Sequence, residues 1–144
     1  MDDLQKQICR FCSAQHEISM AYEEYARQKG YSFTSMQIMQ IIYNNPGCTQ
    51  KRLNELTLLP KQTINAVVSN LYSNGMISMR ENPLDRRCKA IYYSEEGEKT
   101  AELFFSGAED IVETCMNELN DDERDFLIRI MEKLARLMNE EVRK

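Results

Sequence analysis

Hydrophobic residues along the chain fall into helical stripes, interrupted once by a short alternating segment. In the first segment they recur every three or four positions, which predicts a helix with one apolar face made of Leu4, Ile8, Phe11, Cys12, Ile18, Tyr22 and Ala26. Gly30 is expected to end this helix.

A capping box of Thr34 and Gln37 predicts the start of a second helix. We expect its inward face to carry Met36, Met39, Ile42 and Tyr43, and the run Asn44-Asn45-Pro46-Gly47 to stop it.

Two shorter helices are predicted next. Leu53, Leu56 and Leu59 mark the third, and Pro60 suits the first turn of the fourth because a missing N–H is harmless there. The apolar stripe of the fourth helix consists of Ile64, Val67, Val68, Leu71 and Tyr72, and Asn74-Gly75 is expected to close it. The opposite face is small or hydrogen-bonding, with Lys61, Gln62, Asn65, Ala66, Ser69 and Ser73. Such a face suits the major groove of DNA, which is roughly 12 Å wide.

Alternation from Ile77 to Arg80 and a strand-forming run at 90–93 predict a hairpin around the segment 82–88. Ser94 is expected to cap a long helix, and Asn120 with Glu123 another. The fold class is therefore mainly α with a small β-hairpin wing. We expect a winged helix-turn-helix DNA-binding head at 31–94 and a helical dimerisation region at 1–30 and 95–144.

The terminal helices carry more apolar surface than one small head can cover. An exposed stripe of that size usually marks an interface, so we predict a two-fold homodimer. An intramolecular bundle is the alternative.

The distribution of charge along the chain indicates a nucleic-acid partner. The segment 49–93 has seven basic residues against three acidic ones, a net charge of about +4, whereas the chain of 144 residues carries −5. A basic segment in an acidic protein would orient an approaching duplex toward the surface that carries this segment. The alternative is an ordinary solvated run of charges.

Other classes of protein are disfavoured. The sequence has no glycine-rich phosphate loop and no nucleophile beside a base, and its single histidine is His16, so we expect neither an enzyme nor a cofactor. No apolar run approaches a membrane span, and the first residues lack the basic start of a signal peptide. Five scattered cysteines do not suggest a disulfide framework. We therefore expect a cytoplasmic protein with reduced thiols.

Several motifs follow one another in a specific order. They are Phe33-Thr34-Ser35-Met36-Gln37, Thr49-Gln50 to Leu59, the helix from Pro60 to Leu71, Asn74-Gly75-Met76-Ile77, Asn82-Pro83-Leu84-Asp85-Arg86-Arg87 and Ser94-Glu95-Glu96-Gly97. Together they resemble the MarR family of bacterial transcription regulators. The resemblance implies an obligate dimer of triangular shape that binds pseudopalindromic operators and is usually released by a ligand or an oxidant.

Site residues follow from the resemblance by position. The fourth helix would enter the major groove, which makes Lys61, Gln62, Thr63, Asn65 and Ser69 the candidate contacts. In the wing, Arg86 and Arg87 suit the negative potential of a narrow minor groove, and Asp85 can brace the turn by accepting hydrogen bonds. The alternative for the wing is an Asp–Arg surface pair. Asn65-Ala66 stands where the family often has an arginine, so shape readout is expected to contribute more than usual.

Three kinds of signal remain open. A peroxide-sensing branch of the family has a reactive cysteine in the first helix, near the position of Cys9, with Cys12 close by. Cys9, Cys12 and His16 share a helix face that a metal could bridge, although cysteines at such positions more often pack as small hydrophobes. A small apolar or aromatic effector is the third option, with Phe11, Met39, Tyr43 and Phe104 as candidate contacts.

Taken together, the residues predict a sequence-specific regulator that binds duplex DNA, and we expect a repressor released by a small ligand or an oxidant. A winged-helix module that binds a protein and no DNA is the alternative function.

Overall fold

The computed structural model describes residues 2–144, so residue 1 of the predicted dimerisation region lies outside it. The described residues form six helices and one antiparallel hairpin, which confirms the predicted fold class. The elements are α1 (Asp3–Gln28), α2 (Phe33–Asn44), α3 (Gln50–Thr57), α4 (Lys61–Ser73), β1 (Ile77–Asn82), β2 (Asp85–Tyr93), α5 (Glu95–Asn117) and α6 (Asp121–Val142). Within residues 2–144, no helix has the length and apolar character needed to cross a membrane.

Short polar motifs start the helices. Asn120 and Glu123 form the predicted capping box of α6, with Asn120 Oδ1 accepting from the Glu123 N–H at 3.0 Å and Glu123 Oε2 accepting from the Asn120 N–H at 2.9 Å. The predicted cap of α2 was wrong, because Ser32 rather than Thr34 caps this helix. Ser32 has an extended backbone and its hydroxyl accepts from the Ser35 N–H at 3.0 Å, whereas Thr34 already lies inside the helix.

The core of the predicted head lies where α2, α3 and α4 meet the inner face of the hairpin. Its fully or almost fully buried members are Ile38, Met39, Ile42, Cys48, Leu53, Ile64, Val68, Leu71, Ile77 and Ile91. Two residues predicted to face inward are partly exposed instead, since Tyr43 and Tyr72 are 37% and 54% exposed. Each fully buried aliphatic side chain contributes about 1.5–3 kcal/mol, so the stripe of α4 holds that helix firmly in place.

The hairpin is tied to the end of α2 as well as to itself. In the sheet, Ile77 pairs with Tyr93 and Met79 pairs with Ile91. On the other edge of β2, the Gly47 N–H donates to the Ile91 carbonyl and the Ile91 N–H donates to the Cys48 carbonyl, both at 2.8 Å. The segment after α2 therefore forms an isolated bridge to β2, which fixes the base of the hairpin to the core.

The junction between β2 and α5 is also closely packed. The predicted cap is confirmed, because the Ser94 hydroxyl accepts from the Gly97 N–H at 3.0 Å and donates to the Gly75 carbonyl at 2.6 Å. A Cβ at Gly97 would overlap the Met76 carbonyl oxygen. Glycine at the start of α5 therefore allows the helix to approach the turn that follows α4.

The chain divides into two compact units, one ending at Ser106 and the other running from Gly107 to Lys144. In α1, Tyr25 and Ala26 are buried, and the Tyr25 hydroxyl donates to the Phe104 carbonyl at 2.7 Å. The remainder of its apolar stripe is exposed in the single chain, and no residue of α6 is buried. The assignment of these helices to a dimerisation region stays a prediction.

Candidate nucleic-acid interface

The turn between α3 and α4 is held by side chains. Leu58 adopts a left-handed backbone with φ of 56°. The Asn54 side-chain amide donates to the Leu59 carbonyl at 2.6 Å, and the Thr57 hydroxyl donates to the Leu53 carbonyl at 2.7 Å. Because the Asn54 amide ties α3 to the carbonyl of the residue that follows Leu58, it fixes the direction in which the chain leaves α3 and enters α4.

The outer face of α4 brings most of the predicted base contacts together. Lys61, Gln62, Asn65 and Ser69 are exposed, whereas Thr63 is half-buried. The opposite face of the helix is anchored by Ile64, Val68 and Leu71, which all belong to the core. A rigid helix thus presents two amides, a cation and a hydroxyl to solvent, and these groups can hydrogen-bond to base edges or phosphates.

An open cleft of about 530 Å³ lies between α3 and α4. Its lining residues are Gln50, Lys51, Asn54, Lys61, Gln62, Ile64 and Asn65, none of which carries a negative charge. The predicted site did not include Gln50, Lys51 or Asn54, although Lys51 belongs to the basic segment noted in the sequence. The packing of α3 against α4 places Gln50, Lys51 and Asn54 beside the predicted DNA contacts of α4.

The wing differs from its predicted form. Asn82 pairs with Asp85, and the next pair is Glu81 with Lys89, so three residues of β2 have no partner on β1. They are Arg86, Arg87 and Cys88. The sequence predicted a turn spanning 82–88, but the tip is Pro83-Leu84 and the two arginines lie in a bulge of β2. A bulge bends the strand and redirects its side chains, which accounts for the difference.

Asp85 braces this bulge, as the sequence predicted. Its carboxylate accepts from the Arg87 backbone N–H at 2.9 Å and from the Cys88 thiol at 3.7 Å. Neither guanidinium forms an ion pair with a carboxylate of the described chain. The alternative of an Asp–Arg surface pair is therefore wrong, and both arginines remain exposed with uncompensated charge.

Most other basic side chains of the segment also lack an acidic partner. Arg52 pairs with Glu55 at 3.2 Å. Within the described chain, no carboxylate pairs with the other basic side chains of the segment, namely Lys51, Lys61, Arg80, Arg86, Arg87 and Lys89. Six unpaired cations on one head attract a polyanion more strongly than paired ones would.

The cysteines occupy three kinds of environment. Cys9, Cys12 and Cys115 are exposed in the single chain, Cys88 is half-buried, and Cys48 is buried. Burial raises the pKa of the Cys48 thiol, which makes that sulfur a poor nucleophile. Within residues 2–144 no three His, Cys, Asp or Glu side chains are arranged to hold a metal ion, so Cys9, Cys12 and His16 form no such site.

The candidate effector contacts are not gathered in one accessible place. Met39 and Phe104 are buried and Phe11 is exposed on α1, so a role of these side chains in effector binding stays a prediction. Tyr43 is partly exposed and packs against Phe105, with ring centroids 5.5 Å apart. Of the four residues, Tyr43 alone combines an accessible surface with a position beside the core.

Known proteins share both sequence and fold with this chain. Residues 29–87 match the model of the MarR family. The HTH-type transcriptional regulator YwhA of Bacillus subtilis strain 168, itself uncharacterised, is 33% identical over 99 residues, which cover 68% of this chain and 70% of YwhA. The transcriptional regulator HosA of Escherichia coli O111:H- is 22% identical over 97 residues, 67% of this chain and 72% of HosA. These relatives are transcription regulators and not enzymes.

Solved structures agree on the fold. A MarR family transcription regulator, SP03579, superposes with a TM-score of 0.85 at 17% identity and covers 99% of this chain and 95% of its own. Streptococcus pneumoniae FabT, solved in complex with DNA, gives a TM-score of 0.82 at 18% identity, covering 96% of this chain and 99% of FabT. The family match over the head, the identity to YwhA and the winged fold together show that this chain belongs to the MarR family of transcription regulators.

Proposed function

We propose that this protein is a homodimer that binds a pseudopalindromic duplex DNA site and represses transcription there. The observation that carries the proposal is the head itself, where an exposed polar face on α4 and an arginine bulge in the wing both lack acidic partners within the described chain. Cations without partners lose little when they exchange water and counterions for phosphates. A protein-binding module would have no need of two such surfaces on one head.

The two surfaces are suited to different grooves. Gln62 and Asn65 have the amide groups that form paired hydrogen bonds with the edge of adenine in the major groove, and Lys61 can bind guanine or a phosphate. Arg86 and Arg87 are suited to a narrow minor groove, where the negative potential is strongest. Major-groove contacts of the first kind distinguish bases, whereas the arginines act mainly through charge and shape.

Dimerisation is supported by apolar surface that the single chain leaves uncovered. Leu4, Ile8 and Ile18 of α1 are half or more exposed, and so are Phe126, Met131 and Met138 of α6. Apolar side chains repeated along whole helices are typical of subunit interfaces. Two heads related by a two-fold axis would place their α4 helices in successive major grooves, roughly 34–36 Å apart.

DNA-bound structures of fold relatives support the same proposal. FabT was solved with DNA, and a single-residue variant of Staphylococcus aureus MepR was solved bound to an oligodeoxyribonucleotide, with a TM-score of 0.63 to this chain. Because these proteins are less than 25% identical to this chain, they establish a shared fold, and DNA binding by this chain is the proposal to be tested.

The test is selection of bound duplexes from a random pool, with protein at fixed salt. A palindromic consensus with half-sites about one helical turn apart is expected. The Arg87→Ala variant should recover fewer duplexes of every sequence, while Arg52→Ala, which removes an arginine already paired with Glu55, serves as the charge-matched control. If the native protein enriches no duplex even at low salt, the proposal that it binds DNA is wrong, and the alternative of a protein-binding module is favoured.

The same selected duplex tests how the repressor is released. Cys9 is exposed on α1, and an accessible thiol is the first requirement of an oxidant sensor. Peroxide should then lower affinity in the native protein and in Cys12→Ser, but not in Cys9→Ser. If peroxide leaves the affinity of native protein unchanged, a small apolar or aromatic effector that contacts Tyr43 is the release signal to pursue.

A further inference from the structure

We propose that Arg80, on the outer face of the wing stem, is a further contact to the DNA backbone and that Tyr92 is its positioning residue. The inference rests on the proposed function and adds a site to it, because neither residue belongs to the α4 face or to the bulge. Arg80 is exposed, and its guanidinium carbon lies 4.6 Å from the centroid of the Tyr92 ring.

The strand register separates this pair from the core. Met79 and Ile91 are directly opposite each other on the inner face of the hairpin, where Ile91 is fully buried. Because side chains alternate along a strand, Arg80 and Tyr92 share the outer face. They are diagonal neighbours across the two strands, a separation that long and aromatic side chains can bridge.

Tyr92 is itself held from behind by the segment that follows α2. A Cβ at Gly47 would lie 2.8 Å from the Tyr92 hydroxyl oxygen and 3.1 Å from the ring carbon that bears it, so the phenol rests against bare backbone. That backbone is bonded to β2 through the Gly47 N–H and the Ile91 carbonyl. The ring is therefore a platform fixed to the core rather than a free surface side chain.

The contact with Tyr92 leaves the hydrogen-bond donors of Arg80 available. The guanidinium carbon lies over the ring, and a ring face takes up none of the five N–H groups as a hydrogen-bond acceptor of the usual kind. Within residues 2–144, no carboxylate lies within ion-pair distance of the Arg80 guanidinium, and no acceptor takes a hydrogen bond from that group. A cation that is restrained in direction but unsatisfied in hydrogen bonding is suited to an anionic oxygen, and on this head that oxygen belongs to DNA phosphate.

The position along the wing supports a backbone contact. Arg80 is two residues before Asn82, which pairs with the residue that opens the arginine bulge. At about 3.4 Å per residue, that separation is roughly 7 Å. If Arg86 and Arg87 enter the minor groove, the stem stands beside the phosphates that border it. Arg80 would then fix how deeply the wing is inserted, without reading bases.

The experiment measures affinity for the selected duplex at several salt concentrations. Arg80→Ala should weaken binding on the order of tenfold at moderate salt and lower the slope of log affinity against log salt by about one, with the base preference unchanged. Arg80→Gln should give the same loss, because it removes the charge and keeps much of the side chain. Arg52→Ala is the control in which a paired arginine of the same head is removed.

Positioning by Tyr92 is tested separately. Tyr92→Phe keeps the ring and should bind as the native protein does, whereas Tyr92→Leu should lose several-fold in affinity. The double variant Arg80→Ala with Tyr92→Leu should bind no more weakly than Arg80→Ala alone, a coupling that a purely structural tyrosine would not show. Thermal unfolding of each variant shows whether a loss of affinity comes from misfolding. If the Tyr92 variants misfold, the affinities of Arg80→Ala and Arg80→Gln alone test the DNA contact.

The outcome that overturns the inference is a pair of Arg80 variants indistinguishable from Arg52→Ala while Arg87→Ala still weakens binding. That result would be consistent with the DNA-binding function, and Arg80 would then only pack on the Tyr92 ring without contacting DNA. Failure of the native protein to bind any duplex would instead contradict the proposed function, so the two failures are distinguishable.

Discussion

At the scale of single residues, Leu58 stands out because it combines a left-handed backbone with 87% exposure. It is the only non-glycine residue with positive φ within residues 2–144. A side chain in that conformation costs roughly 1–2 kcal/mol, and this one recovers little by burial. The strain is tolerated because Asn54 and Thr57 hold the turn with their side chains.

Leu58→Gly is therefore expected to stabilise the protein by about 0.5–1 kcal/mol, since glycine relieves the strain but makes the unfolded chain more flexible. Urea unfolding followed by circular dichroism measures the change. The matched control is Leu56→Gly, the same replacement inside α3, which should destabilise by about 1 kcal/mol or more. A loss of stability in Leu58→Gly would show that the exposed leucine makes a contact outside the single chain.

Tyr93 makes stability depend on alkaline pH. Its hydroxyl donates to the Met39 carbonyl at 2.8 Å, and burial raises its pKa above the usual value. The folded protein therefore keeps a proton that the unfolded chain begins to release near pH 10, so this contribution is present at lower pH and is lost as pH rises.

The free energy of unfolding should fall above about pH 10, with Tyr93 contributing at most about 1.4 kcal/mol per pH unit. Tyr93→Phe should be less stable at neutral pH, because it lacks the hydrogen bond, but should show a shallower alkaline decline. Tyr72→Phe, which alters a phenol that is 54% exposed, is the control. Urea titrations at several pH values measure both slopes, and equal declines in native protein and Tyr93→Phe would contradict this role.

At the scale of elements, the start of α5 depends on one close approach. Gly97→Ala would place a Cβ against the Met76 carbonyl and force the helix away from the turn after α4. Overpacking of this kind costs about 1–3 kcal/mol. Glu96→Ala, one residue earlier and exposed, should change stability little, and thermal unfolding distinguishes the two. A stable Gly97→Ala protein would mean that α5 can shift without loss.

At the scale of the whole molecule, the uncovered face of α1 carries the dimer proposal. Ile8 is 50% exposed and lies outside the core of the head. Ile8→Glu should therefore leave the fold intact and convert the dimer to monomer at micromolar concentration, because a buried charge would be unpaired at the interface. Sedimentation velocity reports the state, and affinity for the palindromic duplex should fall at least tenfold.

Gln7→Glu introduces the same group one position away on α1, where the neighbouring residue points in a different direction. That variant should remain dimeric. If the native protein sediments as a monomer, or if Ile8→Glu leaves the dimer unchanged, the two-head arrangement proposed here is wrong in its use of α1.

Much of the fold could be predicted from the sequence because it depends on local chemistry. The spacing of Ile64, Val68 and Leu71 defines the buried face of α4, and that burial leaves Gln62 and Asn65 exposed. The caps at Ser94 and Asn120 follow from hydrogen bonds that span three residues. The basic segment was visible because charge is a property of composition.

Tertiary structure decided the features that depend on residues distant in sequence. The bulge that holds Arg86 and Arg87 exists because Asn82 pairs with Asp85 and Glu81 pairs with Lys89, a register that no local pattern specifies. The contact of Gly47 with Tyr92, and the stacking of Arg80 on that ring, likewise require three segments to meet. Local periodicity and capping determined the helices and their exposed chemistry, while strand pairing and helix packing determined which cations are restrained and in which direction they point.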